Sequence, residues 1–176
     1  MTSSDETIQT REGEGFDAGA VERYLREHVE DLPQGELEVE QFPAGATSLT
    51  YLLRIRDADE TAAWEGVLRR PPAGPVPPKA HDMERESRLL KRLRGAYPLA
   101  PKPYFFTDDD SIIGAQFYLM ERREGVVIDD EFPDYVEPTE ELCRGISQTV
   151  ADTLVELHAV TGRVRGSKRS ASRRAS

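Results

Sequence analysis

Residues 64–93 read WEGVLRRPPAGPVPPKAHDMERESRLLKRL, and the fold turns on this stretch. Its start belongs to a strand over Ala62 to Arg70, and PPAGPVPP (residues 71–78) is a stiff loop unsuited to helix or sheet. The spacing predicts a helix from about His81 to Arg94. Asp82, Glu84 and Glu86 lie near its start and Lys91, Arg92 and Arg94 near its end, an order that favours the helix dipole. Gly95 offers a left-handed stop. Met83, Glu86, Leu90 and Leu93 fall on one face of this helix, so a carboxylate sits in its apolar stripe. Burying a lone carboxylate is costly, and Glu86 therefore needs a cation. The preceding strand supplies one at its end, Arg69 or Arg70. The pattern alone fits a plain helix-to-sheet ion pair. It also fits an arginine aimed at a phosphate and held by Glu86.

Upstream the hydrophobic period is two. Leu37, Val39 and Gln41 alternate with acids, and Leu49, Tyr51, Leu53 and Ile55 alternate with Thr50, Leu52, Arg54 and Arg56. The small-residue stretch Pro43 to Ser48 joins these two strands, and Asp57 to Glu60 turns into the third. Such a turn lets backbone amides approach a ligand closely, although most such turns are only turns. Before the sheet, Val21, Tyr24, Leu25, His28, Val29 and Leu32 repeat at helical spacing, with Asp17 as cap and Pro33 as stop. His28 reads as a core-edge histidine. Downstream, Lys102 to Thr107 and Gln116 to Glu121 read as strands around the turn DDDSIIG, and Phe117 to Glu121 alone is a buried strand. Leu142, Ile146, Val150, Thr153, Leu154 and Leu157 share one face of a last helix, from Thr139 to near His158. The order predicts an α+β fold: a five-stranded antiparallel sheet with one helix inserted after its third strand and one helix at each end.

The chain has 176 residues, enough for one domain burying roughly 70% of its unfolded surface. Its single cysteine, Cys143, excludes an internal disulfide and a cysteine-type metal cluster. No apolar run reaches the length of a membrane span, and the N-terminus lacks the pattern of a secretory signal; the expectation is a cytoplasmic protein. The net charge is −10, but six of the 23 basic residues and no acid fall after Val160, leaving 17 basic groups against 33 acids before it. So acidic a body repels phosphate backbones, which argues against nucleic acid as a partner. Carboxylate excess with only four lysines suits high salt, and a salt-loving source is expected. Residues 1–16 read as a disordered tail, 122–137 as a linker and 161–176 as a basic disordered tail.

A small-residue hairpin, a cation on the third strand, a helical glutamate and a fifth strand leading to a linker together resemble the small lobe of a protein-kinase-like fold. The stretches FPAGATSLTYLLR (42–54), residues 64–93, PKPYFFTDDDSIIGAQFYLMERREGVVI (101–128) and VADTLVELHAV (150–160) resemble the aminoglycoside phosphotransferase family. The match is to its branch related to kinase-like domains associated with acyl-CoA dehydrogenases, and it covers about residues 18–160. The string VLRRPP followed by AHDMERE carries most of it. The resemblance implies ATP-dependent phosphotransfer to a small-molecule hydroxyl, with Mg²⁺. It implies a small lobe over 17–121 and the first helix of a large lobe over 138–160. Gly45, Ala46, Thr47 and Ser48 would cover the phosphates, Arg69 would stand where kinases usually keep a lysine, and Glu86 would be its partner. Met120 and Glu121 would begin the hinge that holds the adenine, and His158 would close the large-lobe helix. Ala44 and Ser48 depart from the family's usual second glycine and asparagine.

Phosphoryl transfer also needs a carboxylate to orient the acceptor hydroxyl and ligands for Mg²⁺. The family carries these in an HGD-type loop and an acidic metal motif, and this sequence holds neither; its three histidines precede Val29, Asp82 and Ala159. No catalytic or metal-binding residue is therefore assigned. The loss of match near Val160, where the composition turns basic, points to a truncated or frameshifted and inactive product. The alternative is a stand-alone lobe acting as a non-catalytic binding or regulatory module. An uncovered apolar face on the 139–158 helix would favour self-association.

Overall fold

A computed structural model of the chain describes residues 7–43, 48–72, 82–125, 128, 132–133 and 135–171, with side chains as far as residue 160. The elements run α1 (Ala18–His28), β1 (Leu37–Gln41), β2 (Leu49–Arg56), β3 (Ala62–Arg70), α2 (Met83–Arg94), β4 (Pro103–Thr107), β5 (Phe117–Glu121) and α3 (Glu140–Ala171). The strands form one antiparallel sheet in the order β1-β2-β3-β5-β4, so the α+β expectation and the inserted helix are both met. The chain divides into two compact units, residues 1–94 with 99–123 and residues 95–98 with 124–176.

Strand alternation sorts the side chains of the first unit onto two faces. One face carries Tyr51, Leu53, Ile55, Leu68, Phe117 and Leu119, which cluster with Val21 and Leu25 of α1 and with Val29 just after it. Asp17 caps that helix by accepting from the Gly19 amide at 2.9 Å. The other face carries Leu52, Val67 and Tyr118, all buried, and α2 packs beside it against β4 and β5. Asp82 starts α2 by accepting from the Arg85 amide at 2.8 Å, and buried Met83 and Ser87 anchor it. The Asp57 turn closes as expected, its side chain accepting from the Asp59 and Thr61 amides.

Several expectations need correction. Residues 7–16 are ordered, not a tail: Ile8 bridges Gln41, the Arg11 amide donates to Gln41 Oε1, and Phe16 packs edge-on against Tyr51. A polar composition concealed that these contacts satisfy an otherwise open sheet edge. Helix α1 ends at His28, with the Val29 amide still bonded to the Leu25 carbonyl, well before Pro33. His28 is exposed and stacks on Tyr24 at 3.9 Å. Gly95 follows α2 but stays out of the left-handed region. Helix α3 does not stop near His158; its backbone runs to Ala171, through a stretch with no proline to break it. The 161–176 segment is thus helical over most of its length. In the second unit α3 leaves Leu142, Val150, Leu154 and Val155 exposed. No helix among the described residues is long and apolar enough to cross a membrane.

Candidate functional site

Arg69 and Arg70 are adjacent in β3, so the pleat sends them to opposite faces. Arg70 turns to the α1 face, where it is buried. Its Nη2 donates to the Glu14 carbonyl at 2.6 Å, its Nε to the Tyr51 hydroxyl at 3.2 Å and its Nη1 to the Ile113 carbonyl at 3.3 Å. The guanidinium also lies over the Phe16 and Tyr51 rings. Arg70 is therefore consumed in holding the N-terminal segment.

Arg69 turns to the other face and meets Glu86 of α2, Nη1 to Oε2 at 2.9 Å. The cation beside Glu86 is thus Arg69, although the Glu86 side chain keeps 38% of its surface exposed and is not the buried carboxylate that the apolar stripe implied. Tyr118 of β5, paired with Arg69 in register, completes the group. Its hydroxyl donates to the same Glu86 oxygen at 2.9 Å and accepts from Arg69 Nη1 at 3.2 Å. Burial, opposed by the Arg69 charge and reinforced by Glu86, pushes Tyr118 up to about 12, so it remains a donor across ordinary pH.

Register extends this group into three rows across β2, β3 and β5. Thr50, Arg69 and Tyr118 form the first; Leu52, Val67 and Met120 form an apolar second. The third pairs Arg54 with Glu65, which meets Arg122 just after β5. Arg54 Nε reaches Glu65 at 2.8 Å and its Nη1 reaches Glu40 at 3.3 Å. Burial pushes the Glu65 carboxyl up, but hydrogen bonds from Arg54 and Arg122 outweigh it and hold the group below its ordinary 4.5. The face thus has a polar end, where among the described residues nothing accepts from Arg69 Nε or Nη2, an apolar middle and a closed ionic end.

Of the residues expected at the site, the structure brings Arg69 and Glu86 into contact and puts Met120 in the apolar row beside them. Glu121 closes β5, its Oε2 accepting from the Lys102 amide at 2.8 Å and pairing with Arg94 and Arg123. Ser48 is buried just before β2, while Gly45, Ala46 and Thr47 lie outside the described residues. Sequence reasoning missed Thr50, Leu52, Val67 and Tyr118. Counting back two from Arg69 in an alternating strand would have found Val67; Tyr118 needed the β3–β5 register. Among the described residues no three His, Cys, Asp or Glu side chains gather to hold a metal ion.

Comparisons with known proteins bear on the family and the fold. The model of the phosphotransferase enzyme family matches residues 38–176, so the expected loss of match near Val160 is corrected: the likeness runs on through the basic segment. Acyl-CoA dehydrogenase family member 11 of Gallus gallus is 33% identical over 156 residues, covering 87% of this chain and 19% of its own length. Acyl-CoA dehydrogenase family member 10 of Mus musculus is 33% identical over 141 residues, covering 80% of this chain and 12% of its own. The chain thus spans about a fifth or less of these relatives. Among solved structures, a "putative aminoglycoside phosphotransferase" from Ralstonia eutropha JMP134 superposes with a TM-score of 0.51 at 32% identity, over 66% of this chain and 30% of that one.

Proposed function

The chain belongs to the phosphotransferase enzyme family, and from that premise we propose that its sheet is the nucleotide-binding half of an enzyme that transfers a phosphoryl group from ATP to a hydroxyl of a small molecule. The observation that carries this reading is the Arg69–Glu86 pair with the apolar Leu52–Val67–Met120 row beside it. A guanidinium held by a carboxylate places fixed positive charge where phosphate oxygens would lie. The apolar row offers a surface for the base, and the backbone after Met120 and Glu121 offers the hinge. In the full reaction the acceptor oxygen bonds to the γ-phosphorus as the bridging β,γ-oxygen leaves with ADP, and the hydroxyl proton passes to a carboxylate base. This chain supplies binding and charge stabilisation toward that step. Among its described residues no three His, Cys, Asp or Glu side chains gather as Mg²⁺ ligands, and no metal step is assigned to it. Taken alone the chain binds nucleotide without turning it over. The setting we assign is intracellular and salt-rich, supported by the single cysteine and the carboxylate excess.

Calorimetric titration of the purified chain with ATP and Mg²⁺ tests this. Saturable binding that weakens by about tenfold in Arg69→Ala is expected, that being the scale of one charge-assisted contact. No heat of binding at millimolar ATP would remove the nucleotide reading. ATP hydrolysis or transfer above the Arg69→Ala background would remove the claim of inactivity.

A further inference from the structure

The Arg69 guanidinium is only partly used by the protein. Both contacts it makes fall on one nitrogen, Nη1: Glu86 Oε2 at 2.9 Å and the Tyr118 hydroxyl at 3.2 Å. Two neighbouring acceptors thus crowd that nitrogen. Among the described residues nothing accepts from Nε or Nη2, and the side chain keeps 28% of its surface exposed. The triangle is closed by Tyr118 donating to the same Glu86 oxygen at 2.9 Å, and Tyr118 is itself 1% exposed and fixed in the β3–β5 register. A lone Glu86 would invite the usual fork-to-fork pairing, in which a carboxylate takes two guanidinium nitrogens. Here the tyrosine takes the second place on Nη1 and ties up the carboxylate oxygen.

We propose that Tyr118 is a positioning residue: by sharing Arg69 Nη1 with Glu86 it keeps the Nε–Nη2 edge of the guanidinium for two oxygens of a bound polyphosphate. This rests on the nucleotide-binding reading and adds to it what an arginine does at this position. A lysine ammonium is a single point of charge, and any phosphate must share it with the glutamate. An arginine has two usable edges. One can be spent on the protein and one on the ligand, provided something stops the glutamate from taking both. Removal of the Tyr118 hydroxyl relieves both Nη1 and Glu86 Oε2 of a partner, and Arg69 is expected to rotate into the bidentate pair with Glu86 and withdraw its outer edge.

The test is calorimetry on the full chain with three probes: ATP, inorganic tripolyphosphate and adenosine. Tyr118→Phe should weaken ATP and tripolyphosphate about three- to tenfold, the scale of one charge-assisted hydrogen bond, and leave adenosine unchanged. In an Arg69→Lys background the same Tyr118→Phe change should have no effect on any probe, because the edge it protects is gone. ATP affinity within twofold of the parent in Tyr118→Phe overturns the proposal. So does an equal loss of ATP and adenosine, which marks a merely structural role. If the unaltered chain binds neither ATP nor adenosine, the nucleotide reading falls and this inference falls with it; if it binds both and Tyr118→Phe is silent, only the inference falls.

Discussion

Two consecutive arginines do unrelated work because a strand pleat separates them. Arg70 is spent on three acceptors around the N-terminal segment, and Arg69 reaches Glu86 on the far face. At the same scale a glycine decides the approach to β1. Gly35 has φ +140, and a Cβ there would stand 2.8 Å from Ile55 Cγ2 and 2.9 Å from the Arg56 carbonyl. Arg26 clamps this loop from α1, donating to the Pro33 and Gly35 carbonyls. The loop cannot shift freely, so Gly35→Ala should cost about 1–3 kcal/mol in urea denaturation. Gly125→Ala, with open space around it, should stay within about 0.5 kcal/mol. Equal effects at the two positions would contradict the close approach.

The sheet face opposite α1 is held at one end by charges. Glu40, Arg54, Glu65 and Arg122 run across β1, β2, β3 and the residue after β5, and the Arg54 and Glu65 side chains are 6% and 16% exposed. Removing one partner of a shielded pair strands the other. Arg54→Met should therefore destabilise the chain by about 2–3 kcal/mol at pH 7, below the usual loss for a buried pair because Glu65 keeps Arg122. The pH dependence follows from the lowered Glu65 carboxyl. Its contribution is fully present above the ordinary 4.5 and is lost as pH falls through the lower folded value. The gap between parent and Arg54→Met in urea midpoints should narrow from pH 7 to about pH 3.5. A constant gap would mean that Arg54 acts through packing alone. The ladder also ties the segment that leaves β5 to β3, since Arg122 follows Glu121 directly.

Across the whole chain the two units differ in how their apolar surface is covered. In the first unit Leu52, Leu53 and Leu68 are fully buried. In the second, α3 exposes Val150 at 54%, Leu154 at 48% and Val155 at 68%. Helices draw most of their stability from tertiary packing. Amide hydrogen exchange over residues 150–157 should therefore be faster than over the centres of β2 and β3 by roughly two orders of magnitude. Exchange in α3 as slow as in β2, and quickening on dilution, would instead show a second copy covering this face.

The sequence alone determined the element order, the sheet and a cation beside Glu86. Each follows from period, caps and the place of a carboxylate on a helix face next to a strand ending in arginines, which are local or nearly local facts. The family was legible too, through strings such as VLRRPP and AHDMERE. Tertiary structure alone decided which partners that local logic could not see. It recruited Tyr118 through a pairing between strands 49 residues apart and locked Arg54 between Glu40 and Glu65. It also ordered residues 7–16 against a sheet edge. Composition predicts whether a segment can stand alone. Whether a neighbouring edge will satisfy its backbone depends on where the rest of the chain has gone.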